Sequence, residues 1–198
     1  MSSEKQNQFQ TLCREAQSCC KCPNLTQRTA VLSDLNGNIN AEILFIAEAP
    51  GRNGGDRTRK PFSSDKSGAN FNKFINSINL EREEIFITNT VLCNPRKTTG
   101  ANRKPSVKEI KNCADFLRRT IDFVNPKIIV TLGAVSLEAL KTIEYHQYTL
   151  KVDVGKILTW NKRILVPLYH PSPQVLASHR RENEQFEDYK ILAKVIAK

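Results

Sequence analysis

Four cysteines carry the first chemical signal. Cys19 and Cys22 form a Cys-x-x-Cys pair, and Cys93 and Cys113 lie far downstream with 19 residues between them. Thiolates bind soft metals, and four of them suit zinc or an iron–sulfur cluster. Structural zinc commonly uses two Cys-x-x-Cys knuckles. The wide second pair, with Cys113 inside a predicted helix, leans toward a cluster. Zinc and buried unliganded thiols stay open as alternatives, because free cysteine is often a core residue. Cys20 could replace Cys19 as a ligand, although Cys20-x-Cys22 is a poorer bite, and Cys13 falls on an apolar helix face and reads as core. Such a centre reads as structural, a clasp between the start of the chain and the rest. Between the pairs runs the acidic, glycine-rich stretch from Glu48 to Thr58, and near the end stands His170-Pro171-Ser172-Pro173. A metal clasp, an acidic Gly-rich loop and a His-Pro loop point to nucleic-acid chemistry rather than small-molecule metabolism.

The charge balance agrees. Thirty Lys and Arg against 20 Asp and Glu leave a net +10 on 198 residues, a surplus that favours polyanionic partners. No run of about 20 apolar residues is long enough to span a bilayer, so no membrane partner is expected. Met1 to Gln10 is polar and carries no secretory core. Six cysteines in that context point to a reducing, cytoplasmic setting, where metal binding outranks disulfides.

The elements that must hold these groups follow from periodicity. Residues 4–17 read as a helix with Phe9, Leu12, Cys13 and Ala16 on one face. Asn36-Gly37-Asn38 marks a turn. Ile43 to Ala47 is uninterruptedly apolar, the signature of a strand buried on both faces. Residues 67–79 look helical, Ile85-Phe86-Ile87 is a second strand leading to Thr88-Asn89, and 94–105 is a basic loop. Ser106-x-x-Glu109 is a capping box opening a helix with Val107, Ile110, Ala114, Leu117 and Ile121 as its stripe. Residues 127–133 form a third strand, 134–142 a helix, 163–168 a fourth strand, and 182–197 a closing helix. Strands alternating with helices predict a three-layer α/β/α sandwich around a central, mostly parallel four-stranded sheet. One domain is expected over 1–198, with the N-terminal helix and Cys loop (1–35) tied on by the metal centre. In such folds the active site lies beyond the carboxyl ends of the strands, where Glu48–Asp56, Asn89 and His170–Pro173 should converge.

The ordered set of motifs resembles the uracil-DNA glycosylase superfamily, in particular its iron–sulfur branches, families four and five. The resemblance rests on Cys19-x-x-Cys22-x-x-Leu25-x-x-Arg28, the strand ending Ala-Glu-Ala-Pro-Gly, Asn89, Cys93, Cys113, Pro126 to Gly133 and His170 to Pro173. It runs collinearly from Cys19 to about Leu176. Glu48-Ala49-Pro50-Gly51 is similar to family four, whereas Gly54 to Thr58 and Pro61 to Gly68 look more like family five. Departures are Ala47 where a glycine is usual, Ser63-Ser64 after Phe62, a long stretch from Cys93 to Pro105, and Gln174-Val175-Leu176 after the His-Pro motif.

The resemblance implies a [4Fe–4S] cluster on Cys19, Cys22, Cys93 and Cys113, DNA as partner, and base excision as the activity of a monomer. It implies that Asp56 orients water and stabilises the sugar cation, with Glu48 the rival carboxylate. Asn89 would read the base edge, and His170 would donate to the departing base. Phe62 would stack on that base, and the Ala49 and Gly51 backbone would touch it. Asp65 joins this group, with helix capping near Ser67 as its other use. Pro171, Ser172 and Pro173 would press the DNA backbone and Leu176 would fill the vacated stack. Lys66, Arg96, Lys97, Arg103, Lys104, Arg180 and Arg181 flank these loops as candidate phosphate contacts. Competing expectations are excision of a bulky modified base from phage DNA as antiviral defence, a non-catalytic metal-stabilised nucleic-acid binder, and a redox protein.

Overall fold

A strand that is apolar at every position must be covered on both faces, and Ile43–Ala47 is buried at all five. The computed structural model describes residues 3–25 and 27–196. Its elements in chain order are α1 (Ser3–Gln17), β1 (Ile43–Ala47), α2 (Gly55–Thr58), α3 (Lys66–Asn76), β2 (Ile85–Asn89), α4 (Val107–Val124) and β3 (Ile128–Leu132), then α5 (Ala134–Ala139), α6 (Leu150–Asp153), β4 (Leu158–Trp160), β5 (Arg163–Leu168), α7 (Pro173–Ser178) and α8 (Glu182–Ile196). The sheet order is β2-β1-β3-β5-β4. β1 sits between its parallel partners β2 and β3, β5 extends the parallel set, and β4 pairs antiparallel with β5.

Helices cover both faces. Phe9 and Leu12 of α1 and Phe116, Leu117 and Ile121 of α4 bury Leu44, Ile46, Phe86 and Ile129. On the other face Phe71, Phe74 and Ile75 of α3 and Tyr189, Leu192 and Val195 of α8 bury Phe45, Ile87, Val130 and Val166. Phe9 packs edge-on to Phe86 and stacks with Phe123, ring centroids 5.8 and 5.5 Å apart. This is the expected three-layer sandwich. Among the described residues no helix is long and apolar enough to cross a membrane.

Three expectations need correction. The sheet has five strands rather than four, because Leu158–Trp160 turns back on β5 through Asn161 and Lys162, both with positive φ (46° and 59°). That is the two-residue hairpin geometry in which both central residues are left-handed. Val107 belongs to no stripe: it stands 69% exposed at the first turn of α4, and Phe116 and Thr120 take the buried face instead. The helix expected over 134–142 is α5 followed by a 3-10 turn at Leu140–Thr142. The closing helix, expected to 197, is seen to Ile196, and residue 197 lies outside the described residues. The capping box is present: Ser106 Oγ accepts from the Glu109 amide at 3.2 Å and Glu109 accepts from the Ser106 amide at 2.7 Å. The turn at Gly37 needs glycine twice over, for its φ of +123° and because a Cβ there would stand 2.2 Å from the Ile85 carbonyl oxygen.

Candidate active site

The carboxyl ends of the parallel strands carry the chemistry, as the topology requires. β1 runs into Glu48, β2 ends on Asn89, and β5 runs through Tyr169 into His170. Ala47 pairs in register with Asn89, so those ends are flush. The Thr90 amide donates to the Ala47 carbonyl at 2.8 Å and the Val91 amide to the Glu48 carbonyl at 3.1 Å, which fixes one strand exit against the other. Asn70 of α3 donates to the Pro171 carbonyl at 2.8 Å and holds the His-Pro loop from the opposite side. Gly133 (φ +101°) passes beneath that loop; a Cβ there would lie 3.6 Å from His170 Cβ.

Between these ends opens a cavity of about 360 Å³. Glu48, Ala49, Gly51, Phe62, Asp65, Asn89, His170 and Ser172 all line it. Asn89 is only 4% exposed, and its Nδ2 has no hydrogen-bond partner among the described residues. A buried donor left unpaired costs about 1–3 kcal/mol, so this amide is set for an acceptor that enters the cavity. Burial lowers the pKa of His170 to about 4, opposed by the nearby charge of Asp65, so the imidazole is neutral at physiological pH. Burial raises the pKa of Glu48, opposed by Lys104. Phe62 stacks on Phe71 (4.6 Å, 14°) and stands 5.5 Å from the His170 ring. That leaves its other face to the cavity. Its φ of 48° is left-handed, and Arg82 holds the strained loop by donating to the Pro61 and Phe62 carbonyls.

Asp56 is placed elsewhere. It does not line the cavity. Its carboxylate, 10% exposed, is bound by Arg96 Nη2 at 2.5 Å, and Arg96 Nε donates to Asn94 Oδ1 at 2.5 Å. Asn94 donates to the Pro50 carbonyl at 2.6 Å and to Asn102 Oδ1 at 3.0 Å. Asp56 therefore latches the 94–103 loop onto the Gly-rich loop. Asn94, Asn102 and Arg103 line the cavity and were not singled out for it in the sequence; three polar side chains recurring through a basic loop were the only available signal.

The expected DNA contacts divide in the same way. Lys66, Lys97, Lys104 and Arg181 are exposed, as is Pro173. Ser172 caps α7, accepting from the Val175 amide at 3.4 Å, and Pro171 is buried. Arg180 is committed to Asp188 (2.7 and 3.0 Å) and Glu184 (3.2 Å), and Arg103 binds both oxygens of Glu109 (2.6 and 2.8 Å). Leu176 packs against the α3–α8 core, while Gln174 and Val175 stand at the cavity.

Cys19, Cys22, Cys93 and Cys113 line a second, small cavity walled by Ala16, Leu25, Leu92 and Phe116. Burial, and then the other three sulfurs, push the Cys93 thiol up to about 12. The Leu92 amide donates to Cys113 Sγ at 3.5 Å and Asn112 Nδ2 to Cys22 Sγ at 3.4 Å, the kind of N–H···S support that tunes metal thiolates. Among the described residues no group of three or more His, Cys, Asp or Glu side chains is drawn together tightly enough to hold a metal ion as it stands. Cys13 is core and Cys20 exposed.

Known proteins resemble this chain in sequence. The family model for the uracil DNA glycosylase superfamily matches residues 36–192. The type-4 uracil-DNA glycosylase of Archaeoglobus fulgidus is 31% identical over 190 residues, covering 93% of this chain and 92% of that protein. That of Sulfurisphaera tokodaii is 38% identical over 188 residues, covering 90% and 82%. The type-5 uracil-DNA glycosylase of Pyrobaculum aerophilum is 25% identical over 184 residues, covering 79% of each chain.

Proposed function

The chain belongs to the uracil-DNA glycosylase superfamily, and from that membership we propose that it is a monofunctional DNA glycosylase excising uracil, or another deaminated base, from DNA. The observation that carries the reading is the buried, partnerless Nδ2 of Asn89 facing the same cavity as a neutral His170. A base flipped out of the stack pays a few kcal/mol for unstacking. Asn89 recovers part of that by donating to a ring carbonyl, and Phe62 offers a ring face for the base to lie on. The C1′–N bond then breaks with its electron pair on the base. Neutral His170 donates a hydrogen bond to the carbonyl oxygen where that negative charge collects. Water adds to C1′ and gives its proton to Glu48, the carboxylate that faces the cavity and that burial makes more basic. We assign this role to Glu48 rather than Asp56, whose carboxylate is engaged by Arg96. No lysine lines the cavity among the described residues, which favours hydrolysis over a Schiff-base route with strand cleavage.

The four-cysteine cavity, with its thiol donor set and N–H···S bonds, suits a [4Fe–4S] cluster held by Cys19, Cys22, Cys93 and Cys113; bound there, it would supply structural cross-linking. In this reading the protein works on DNA as a monomer in a reducing cytoplasm, the setting that six cysteines and a basic chain suit. Incubation with oligonucleotides carrying uracil, hypoxanthine or xanthine should leave alkali-labile abasic sites, uracil foremost. DNA binding with no abasic product on any of them would overturn the reading. Cleavage confined to modified phage DNA would move the substrate to a decorated base.

A further inference from the structure

Asp65 uses only one of its two oxygens. Oδ1 caps α3, accepting from the Gly68 amide at 2.8 Å. Oδ2 has no donor among the described residues, yet it reaches the cavity wall through a slot cut by missing side chains. A Cβ on Gly54 would stand 2.3 Å from Asp65 Oδ2 and 2.8 Å from its Cγ, and one on Gly51 would stand 3.3 Å from Oδ2. The φ of Gly54 is −104°, so contact rather than handedness excludes a side chain there: the Asp65 carboxylate first, then the Ser63 carbonyl oxygen at 2.9 Å. Gly68 clears the same path from below: a Cβ on it would meet the Phe62 carbonyl carbon and oxygen at 2.6 Å. Three glycines thus let the 61–65 segment drop a carboxylate beside the Gly-rich loop that follows Glu48. Helix capping alone needs none of this, because a cap can be made from outside the cavity.

We propose that Asp65 is a second catalytic carboxylate, with Oδ2 facing the deoxyribose of the extruded nucleotide. This rests on the glycosylase reading above. Asn89 and His170 mark the end of the cavity that takes the base and its developing negative charge. A carboxylate in contact with that leaving group would oppose the reaction. Against the sugar, where positive charge grows as the C1′–N bond stretches, it favours the reaction. Asp65 forms no bond and transfers no proton; Glu48 takes the water proton.

Asp65→Asn and Asp65→Ser test this, because Asn and Ser cap helices as well as Asp does while removing the charge. Single-turnover excision of uracil should slow at least ~10-fold in both, with Tm and the Kd for uncleaved DNA unchanged. Gly54→Ala carries no functional group of its own and should slow excision comparably by displacing Oδ2. Asp65 variants within twofold of the native rate would overturn the inference and leave a capping residue. Glu48→Gln measured alongside separates the two claims: if it alone is slow, the reading of the site stands and only the role of Asp65 falls. If the native protein excises nothing, both fall.

Discussion

Burial moves Glu48 and His170 in opposite directions, and both toward neutrality. The consequences for rate are separable. In the proposed mechanism Glu48 must be ionised to take a proton, and burial raises its pKa above the ordinary carboxylate value; His170 must be neutral, and stays so down to about 4. The single-turnover rate should therefore fall with acid through one inflection above 4.5, with no step at the ordinary histidine value of about 6.5. Glu48→Gln should lose that inflection and slow excision ~100-fold, and His170→Ala should slow it by a similar factor; a rate–pH profile on saturating DNA checks both. His170 also affects stability. Below about 6.5 the unfolded chain takes up a proton that the folded chain refuses until about 4, so stability is lost as pH falls through that window. A His170→Asn variant should show a shallower fall in Tm across it. Asn89 and His170 were legible in the sequence because each follows a strand whose apolar run is unmistakable. The pairing of Asp56 was not legible, because nothing in a linear chain shows that Arg96, forty positions on, meets its carboxylate.

At the scale of elements, the Asp56–Arg96–Asn94 network ties two cavity-lining loops together. If it is a latch, Asp56→Ala and Arg96→Ala should reduce excision by about the same factor, and the double variant should be no worse than either. Thermal unfolding of the four proteins should give a coupling of about 1–2 kcal/mol. An Asp56→Ala protein far slower than Arg96→Ala would return the water-activating role to Asp56. The β4–β5 hairpin offers a second check. Lys162 has a φ of 59°, which costs a side-chain-bearing residue about 1 kcal/mol. Lys162→Gly should stabilise the fold by about 0.5 kcal/mol after the extra freedom it gives the unfolded chain, measured as denaturation midpoint. The same hairpin shows why part of the sheet escaped the sequence. β1, β2 and β3 are continuous apolar runs, but Leu158–Trp160 gives three alternating residues, too few for a period, and its turn lacks glycine.

For the whole molecule, the net charge is +10, and Lys66, Lys97, Lys104 and Arg181 stand exposed for phosphate, whereas Arg180 is held by Asp188. If about five phosphates are contacted, KM for DNA should rise with salt at a log–log slope of about 4 to 5, while the saturated rate stays level. The proposed cluster is tested without activity. Freshly purified protein should absorb visible light by sulfur-to-iron charge transfer, and Cys93→Ser should abolish that and lose about 2 kcal/mol or more, roughly 4–8 °C in Tm.

The start of the chain reaches across the molecule to earn its place there. Phe9 is fully buried against the sheet, Glu15 pairs with Arg119 at 2.6 Å, and Asn112 donates to the Lys21 carbonyl at 2.8 Å. The family model begins at residue 36, but the alignment to the Archaeoglobus fulgidus protein covers 93% of the chain and so takes in the Cys19–Cys22 segment. Two of the four cavity-lining thiols, Cys19 and Cys22, sit on a strap that precedes the first strand. A protease nick between residues 27 and 33 would release nothing, because the buried Phe9 and the Glu15–Arg119 pair would keep both pieces travelling together.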